Sequence, residues 1–373
     1  MSETSSESPR IMGLRTARVT RKFKPELAVR GAKVTHDIST YLVVELSVEG
    51  GITGIGEVSG TKNWSGEDAE SADELIRKTF FPYLKGKRLE NIPEISGAMN
   101  ALVSHNYFTK AGVNMALWDA RGKFEHKPVY ELLGGMRRSS IPVKISLSGD
   151  GEEITAGAEK ASSLGFSSFK VKVGHGYERD ISRFSLARSV VGDETFLGAD
   201  ANCGWEMEEA KRCIPALISR NAAFIEQPVS RDRLDQLAEL RALDIPVVAD
   251  ESVFDYDDAQ ACIAHGAADA ISIYVGKSGG LEQAMKIGEL CASNSVDVII
   301  GSNAELGVGT AAQIQVAASL TRLGNIPSDI IGHHFYTDDI LASPNKIDGK
   351  YAYVPDAPGL GVELREDVVS SLR

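Results

Sequence analysis

GFSSFKVKVG, residues 165–174, is a short apolar run that carries two lysines, Lys170 and Lys172, near its end. Side chains two residues apart on a β-strand point to the same face of the strand. Both ammonium groups are therefore predicted to point in one direction, where they would repel each other unless an anionic group lay opposite them. The stretch thus predicts a strand whose end faces acidic side chains or a bound anion.

Matching acids stand at the ends of three later apolar runs. They are Asp200 in FLGADANCGW, Glu226 in AAFIEQP and Asp250 in PVVADES. Burying unpaired carboxylates is costly, and a hard divalent cation with oxygen ligands, Mg²⁺ above all, relieves that cost. Each acid taken alone could instead cap the following helix or pair with a lysine. A magnesium site beside the two lysines accounts for all three acids together.

Short runs rich in Val, Ile and Phe alternate with helical segments from Ile141 onward, which is typical of repeated βα units. We expect the strands to end near Ser146, Lys172, Asp200, Glu226, Asp250, Tyr274, Gly301 and His333. The nearly constant spacing of these ends favours a (β/α) barrel, in which functional groups lie at the carboxyl ends of the strands. An open doubly wound sheet is the alternative, but no glycine-rich fingerprint follows the first strand.

The part of the chain before these repeats mixes strand and helix patterns. Two β-rich runs within residues 40–58, separated by Gly50 and Gly51, predict a hairpin, and residues 111–124 have a helical period. We expect four regions, namely a disordered polar tail over 1–10, an α+β domain over 11–135, the barrel over 136–342, and a segment over 343–373 that returns to the first domain.

The composition excludes several classes of partner. A net charge of -12 argues against binding to nucleic acid or to an anionic membrane surface. No apolar run reaches transmembrane length, and the polar start does not resemble a secretory signal, so we expect a cytoplasmic location. The four cysteines show no CxxC spacing and are expected to be reduced thiols.

Together these motifs resemble the enolase superfamily, in the mandelate racemase and muconate lactonizing enzyme branch. The resemblance covers about residues 11–368 and is carried by KVKVG, GADANCGW, IEQP, ADES, KSGG (277–280), MALWDARGK…PVYELLGG (115–135) and PGLGVEL (358–364). It implies an α/β fold, a modified TIM barrel of the (β/α)7β type with an N-terminal α+β capping domain. It also implies a small carboxylate substrate and a homo-oligomer.

The resemblance implies roles for individual residues. The three acids would bind Mg²⁺, and Lys172 would be the base that acts on the proton α to the substrate carboxylate. Lys170 would hold that carboxylate, while Asn202 and Glu251 would be supporting polar residues. A lysine beside Mg²⁺ and a second ammonium is expected to have a lowered pKa, which suits a base. A lysine base with a metal-stabilised enediolate is the pattern of this superfamily.

The sixth strand departs from the family pattern. Muconate-type members carry a lysine, and mandelate racemase-type members an aspartate, where this chain has Tyr274; the histidine of the seventh strand is also missing. Lys277 has an odd offset from Tyr274, so a strand would turn it away unless it begins the next loop. Because tyrosine has an ordinary pKa of about 10, a lysine–lysine racemase is disfavoured. Single-base cycloisomerisation, syn β-elimination and a Lys172/Tyr274 epimerisation stay open, and a hydrogen bond from Tyr274 to the substrate or to Glu251 is the non-catalytic alternative.

Further substrate contacts are expected from loops at the barrel mouth. The candidates are Trp64, Arg30, Glu305 in SNAELG and His333 in DIIGHHFY. Adjacent histidines on a strand face opposite ways, so only one of His333 and His334 can enter the site. Lys22, Lys24, Arg30 and Lys33 form a basic loop that we expect to be largely solvated, with Arg30 as its carboxylate contact.

These observations predict a Mg²⁺-dependent isomerase, of the cycloisomerase or epimerase type, that moves a proton α to a carboxylate. An acid-sugar dehydratase is the alternative. A non-catalytic carboxylate-binding protein is a further alternative, against which the presence of both lysines argues.

Overall fold

The chain folds into an α+β capping domain, a parallel β/α barrel and a carboxyl-terminal segment; the structure, a computed structural model, describes residues 7–32 and 35–373. The capping domain has the strands β1 Ile11–Lys22, β2 Val29–Arg30, β3 Thr35–His36, β4 Ile38–Val48 and β5 Thr53–Val58. Its helices are α1 Lys62–Ser65, α2 Ala69–Leu75, α3 Phe81–Leu84, α4 Ile92–Leu102, α5 Tyr107–Glu125 and α6 Val129–Leu132.

The three long strands of the capping domain form an antiparallel sheet in the order β1–β4–β5. The predicted hairpin is confirmed, and Gly50 and Gly51 between its strands have φ of 82° and 81°, which glycine adopts without strain. Helix α5, which includes the predicted helix 111–124, packs closely against β5. A Cβ atom at Gly56 would lie 1.9 Å from the carbonyl oxygen of Gly112, so this close packing requires glycine.

The barrel region begins with β6 Ser140–Pro142 and continues as alternating strands and helices. The strands are β7 Ile145–Leu147, β8 Ser168–Lys172, β9 Phe196–Asp200, β10 Ile225–Glu226, β11 Val247–Ala249, β12 Ala270–Ile273 and β13 Asp297–Ile300. The helices are α7 Glu152–Ser163, α8 Tyr177–Val191, α9 Met207–Ile218, α10 Leu234–Leu240, α11 Tyr256–Ala264, α12 Leu281–Ser293 and α13 Gly307–Ser319. Strands β7 to β13 form one seven-stranded sheet in chain order, and each neighbouring pair is parallel.

The barrel closes between β13 and β7 through a short segment at residues 328–329. Ser328 forms a parallel bridge with Val143, and the amide of Asp329 donates to the carbonyl of Ile300 at 2.7 Å. The prediction that the eighth strand ends near His333 is wrong, because His333 lies in the 3-10 turn Gly332–His334 that follows the closing segment. The other seven predicted strand ends lie within one residue of the observed ends.

An apolar layer fills the barrel below its carboxyl end. It consists of Phe224, Val248, Ala270 and Ile299. Since side chains two residues apart on a strand share a face, Glu226 and Asp250 stand one layer above Phe224 and Val248. The charged groups of the site therefore rest on an apolar floor that shields them from water.

The carboxyl-terminal segment contacts both domains. Its strand β14, Tyr351–Tyr353, pairs with β6 at the barrel, and after helix α14, Glu366–Ser371, the amide of Arg373 donates to the carbonyl of Thr16 on β1 at 3.0 Å. Of the predicted disordered tail, residues 1–6 lie outside the described residues. Its last residues are attached, since the carbonyl of Ser8 accepts a hydrogen bond from Arg88 at 2.7 Å.

The fold bears on membrane-spanning segments and on the state of the cysteines, which the sequence also addressed. No helix in the described ranges has the length and apolar character needed to cross a membrane. No disulfide joins the four cysteines, and Cys213, Cys262 and Cys291 are buried, as expected for reduced thiols.

Two buried side chains of the capping domain hold the loop that follows β13. Glu57 on β5 accepts hydrogen bonds from the amides of Leu306 and Gly309 at 2.7 and 2.9 Å. Tyr41 on β4 donates to the carbonyl of Ala304 at 2.8 Å. The capping domain therefore sets the position of a barrel loop.

The Glu57 carboxyl predicts a pH dependence of stability. Burial raises its pKa to about 8, and the two amide hydrogen bonds only partly oppose this. A raised pKa means that its contribution to stability is present below the unfolded pKa of about 4.5 and is lost as the pH rises towards 8. We expect Glu57→Gln to lose less stability than the wild type between pH 5 and pH 8, measured by urea unfolding.

Glu70→Gln is the control, because the Glu70 side chain is 84% exposed in the same domain. A Glu57→Gln variant with the same pH slope as the wild type would contradict the raised pKa.

Candidate active site

A cavity with an empty volume of about 660 Å³, its open mouth included, lies at the carboxyl ends of the barrel strands. The barrel contributes Ser146, Lys170, Lys172, Asn202, Asp250, Tyr274 and Asp329 to its lining. The capping domain contributes Val29, Gly31 and Trp64, and the segments that follow the barrel strands contribute Ser302, Asn303, Ala304 and Phe335. The two lysines predicted to share a strand face thus reach one cavity.

Lys170 is surrounded by carboxylates. Its Nζ lies 2.8 Å from Glu226 Oε1, 3.2 Å from Asp329 Oδ2 and 3.3 Å from Asp200 Oδ2. Burial disfavours its charge, but the three carboxylates outweigh burial and raise the pKa of Lys170 well above its usual value. The surrounding carboxylates therefore favour the charged form of Lys170.

Lys172 lies two residues further along β8 and has fewer anionic neighbours. Its Nζ lies 2.7 Å from Asp200 Oδ2 and donates to Asn202 Oδ1 at 3.0 Å. The amide nitrogen of Asn202 in turn donates to Glu251 Oε1 at 3.0 Å. The predicted supporting residues Asn202 and Glu251 thus form a chain of hydrogen bonds that starts at Lys172.

The first two predicted metal ligands stand side by side. Asp200 on β9 and Glu226 on β10 are directly paired in the sheet register. Burial disfavours the Asp200 charge, but Lys172 and Lys170 outweigh it and lower the pKa of Asp200. Burial raises the pKa of Glu226 to about 8 against the attraction of Lys170. Glu226 Oε2 is buried and has no hydrogen-bond partner, so one oxygen of this pair is open to a ligand.

The third acid, Asp250, is held on both of its oxygens. Oδ1 accepts from Lys277 Nζ and Oδ2 from the Tyr274 hydroxyl, each at 2.6 Å. Lys277 lies in the turn after β12, where its fully buried Nζ also donates to the carbonyl of Ser272 at 2.9 Å. Lys277 therefore faces Asp250 from the loop. Its spacing from Tyr274 had left open a position on the strand or at the start of this loop. Lys277 does not line the cavity.

The side chains fit magnesium by their chemistry rather than by their present spacing. Within residues 7–32 and 35–373, no three acidic, histidine or cysteine side chains stand close enough to hold one metal ion, so the expected convergence of Asp200, Glu226 and Asp250 is not observed. Ammonium and phenol groups instead occupy their oxygens. The donor set is nevertheless three buried carboxylates on adjacent strands, with Glu226 Oε2 unsatisfied, which suits a hard cation. Their assignment as metal ligands stays a prediction.

The Tyr274 hydroxyl is engaged in a hydrogen bond within the protein. Its hydrogen bond goes to Asp250, not to Glu251, and burial together with Asp250 raises the pKa of Tyr274 well above its usual value. The ring fits because the neighbouring strand β13 is followed directly by Gly301, where a Cβ atom would lie 1.9 Å from Tyr274 Cε1. The Trp64 ring stacks on the Tyr274 ring, with 5.9 Å between the ring centroids and 6° between the ring planes.

Three predicted contact residues are not brought to the cavity. The Arg30 guanidinium lies 2.9 Å from Glu153 and does not line the cavity, so its contact with a substrate stays a prediction. Glu305 accepts from the Ser302 hydroxyl at 2.6 Å and folds back on its own loop. His333 packs on the ring of His334, because the strand that was expected to present it ends earlier.

Some of the other predicted contact residues line the cavity and others do not. Lys24 donates to the carbonyl of His334 at 3.0 Å, while Lys33 lies outside the described residues. Trp64 and Asn202 do line the cavity, as predicted.

The sequence interpretation missed a buried pair in the barrel. Lys144 Nζ lies 2.9 Å from Asp329 Oδ2, which also contacts Lys170. A lysine inside the apolar run IPVKIS and an acid in PSDII were the available signals. Asp329 could not be placed in the site without knowing where the barrel closes.

Comparisons with known proteins agree with this architecture. A family model described as Enolase C-terminal domain-like matches residues 153–368, and the mandelate racemase / muconate lactonizing enzyme N-terminal domain matches residues 13–134. This chain, with its capping domain and a barrel that carries lysines and acids at its strand ends, is thus an enolase-type enzyme. The chain belongs to the mandelate racemase / muconate lactonizing enzyme family.

Individual relatives match over most of their length. Muconate cycloisomerase 1 of Rhodococcus opacus is 31% identical over 88% of this chain and 90% of its own. The crystal structure of 2-chloromuconate cycloisomerase from Rhodococcus opacus 1CP has a TM-score of 0.92 at 30% identity, covering 97% of this chain and 98% of that one. A dipeptide epimerase from Enterococcus faecalis V583, complexed with Mg and the dipeptide L-Leu-L-Tyr, has a TM-score of 0.89 at 28% identity, covering 95% and 99%. Cycloisomerases and epimerases are isomerases, and the chain is an enzyme of this type.

Proposed function

We propose that this protein is a Mg²⁺-dependent isomerase of the cycloisomerase type with a single base, Lys172. When a ring closes onto the substrate double bond, Lys172 gives a proton to the carbon α to the carboxylate, and when the ring opens it takes that proton back. The observation that carries the proposal is the hydrogen bond from Tyr274 to Asp250 at 2.6 Å, at the position where muconate-type members have their second lysine. A hydroxyl with a raised pKa that already donates to a carboxylate is a poor proton acceptor. Lys172 is left as the acid–base group on one face of the cavity.

The other charged residues take supporting roles in this proposal. Lys170 stays cationic because of its three carboxylate neighbours, so it binds the substrate carboxylate and does not exchange protons. Asn202 orients Lys172 through its 3.0 Å hydrogen bond. Asp200, Glu226 and Asp250 would hold Mg²⁺, which supplies positive charge where the substrate carboxylate gains negative charge. The Mg-bound epimerase relative supports this assignment.

The test is proton exchange followed by NMR in heavy water, with Mg²⁺ and a library of small chiral carboxylates. A single base returns deuterium to the face from which it removed the proton. We therefore expect α-hydrogen exchange with retention of configuration to be faster than inversion. A two-base enzyme would instead exchange with inversion, and equal rates of the two processes would overturn the single-base assignment.

Tyr274→Phe separates a structural from a catalytic role of the hydroxyl. We expect this variant to keep exchange with retention and to lose far less activity than a variant without the base, because the hydroxyl contacts Asp250 and not the reacting atoms. A loss of 10²-fold or more with unchanged substrate KM would assign proton transfer to Tyr274. The same spectra detect keto products, so elimination from acid sugars would favour the dehydratase alternative instead.

Two expectations from the sequence stay predictions. The cytoplasmic location and the homo-oligomer are not tested by the fold of one chain.

A further inference from the structure

The cavity above the two lysines has apolar walls. Trp64 and Tyr274 both line the cavity with their rings stacked, and the Tyr274 hydroxyl is engaged with Asp250. Val29, Ala304 and Phe335 line the cavity as well, and their side chains carry no polar atom. A substrate held at Lys170 would therefore extend along carbon surfaces.

The side-chain nitrogen of Asn303 and the hydroxyl of Ser302, both in the lining, already donate hydrogen bonds within the protein. The Asn303 side-chain nitrogen donates to the carbonyl of Ser59 at 2.6 Å and to Thr61 Oγ1 at 3.0 Å. The Ser302 hydroxyl donates to Glu305 at 2.6 Å. These groups offer little to a second charged group on the substrate.

Charged partners for a second substrate charge are absent from the described lining. Lys170 and Lys172 are its only cations within residues 7–32 and 35–373, and both stand at the floor among carboxylates. Its acids, Asp250 and Asp329, are paired with Lys277 and Lys144. Arg30, a basic residue of the capping loop within the described ranges, turns its guanidinium to Glu153.

We propose that the substrate is a monocarboxylate whose remaining part is uncharged and mainly apolar. This inference rests on the proposed function, since the carboxylate is placed at Lys170 and beside Lys172. A second carboxylate or an ammonium group would be taken out of water against aromatic and aliphatic side chains without a counter-ion, which is strongly unfavourable. The cavity thus selects by penalising charge at its upper end.

The experiment compares matched acids that differ in one terminal charge, such as N-acetyl-phenylalanine and N-succinyl-phenylalanine, within a panel of such pairs. Binding is measured by calorimetry with Mg²⁺, and exchange by proton NMR in heavy water. We expect the monocarboxylates of the panel to bind and exchange at least about 30-fold better than their dicarboxylate partners, since an unpaired buried charge costs at least that factor. Equal or better binding of the dicarboxylates would overturn the inference.

Val29→Lys and Val29→Met are a matched pair of variants at the wall, because the two side chains have similar length and differ in charge. The lysine variant should shift the ratio of dicarboxylate to monocarboxylate binding at least about 10-fold towards the dicarboxylates, and the methionine variant should leave the ratio unchanged. An unchanged ratio in both variants would show that substrate does not contact this wall and would overturn the inference. Selective binding of monocarboxylates without any exchange would support the cavity inference and contradict the proposed function.

Discussion

Lys172→Ala is expected to lower the rate of α-proton exchange by about 10²- to 10⁴-fold, the range that a positioned acid–base group contributes. Lys172 is the lining residue that has a proton-accepting nitrogen without the three carboxylate contacts that keep Lys170 charged. The rate is measured by deuterium incorporation under saturating Mg²⁺ and substrate. Substrate binding should weaken far less than exchange, because Lys170 is retained.

Lys172→Arg distinguishes proton transfer from charge. Arginine keeps the positive charge next to Asp200 but does not release its proton in proteins, so this variant should be as inactive as the alanine variant. Lys78→Ala is the control, because the Lys78 side chain is 73% exposed and pairs only with its helix neighbour Glu74. Recovery of exchange in Lys172→Arg would mean that Lys172 acts as a charge and not as the base.

Glu226→Gln is expected to weaken Mg²⁺ binding by at least 10- to 100-fold, the cost found even when outer-shell partners of a metal are changed. The variant keeps the size of the side chain but removes the ionisable carboxyl group that carries the unpartnered Oε2. Calorimetric titration with Mg²⁺ measures the affinity without the need for a substrate. In the wild type, a Mg²⁺ concentration 100 times the Kd should raise the free energy of unfolding by about 2.7 kcal/mol, and the same concentration should have a much smaller effect on the variant.

The control for this variant is Glu239→Gln, since the Glu239 side chain is 59% exposed and pairs with Lys211. Equal Mg²⁺ affinity of the wild type and Glu226→Gln would remove Glu226 from the metal site. Because the described side chains do not converge on one point, the titration also tests whether Mg²⁺ displaces the lysine contacts of these acids.

The sequence alone was sufficient for the barrel and for most strand ends. Each strand of the barrel is a short apolar run, and the change from apolar to charged residues at Lys172, Asp200 and Glu226 marks its carboxyl end. This pattern is local, so it can be read without knowing which strands are neighbours. The capping hairpin was predictable for the same reason, because Gly50 and Gly51 determine the turn by their own backbone freedom.

The sequence did not determine which charges meet. The closing segment at residues 328–329 is held by one bridge to Val143 and by the amide hydrogen bond of Asp329 to Ile300, not by a long ladder. No periodic pattern therefore revealed that Asp329 faces Lys170. The orientation of Arg30 depends on Glu153, which is distant in the chain.

The chain by itself therefore determined the architecture, the shared face of Lys170 and Lys172, and the acids at the strand ends, since these follow from alternation along single strands. Only the tertiary structure decided that Tyr274 donates to Asp250, that Lys277 is buried beneath it, and that the upper cavity is apolar. Those contacts join residues from different strands and loops. Their partners are selected by packing and charge in three dimensions, for which a single sequence contains no period or spacing.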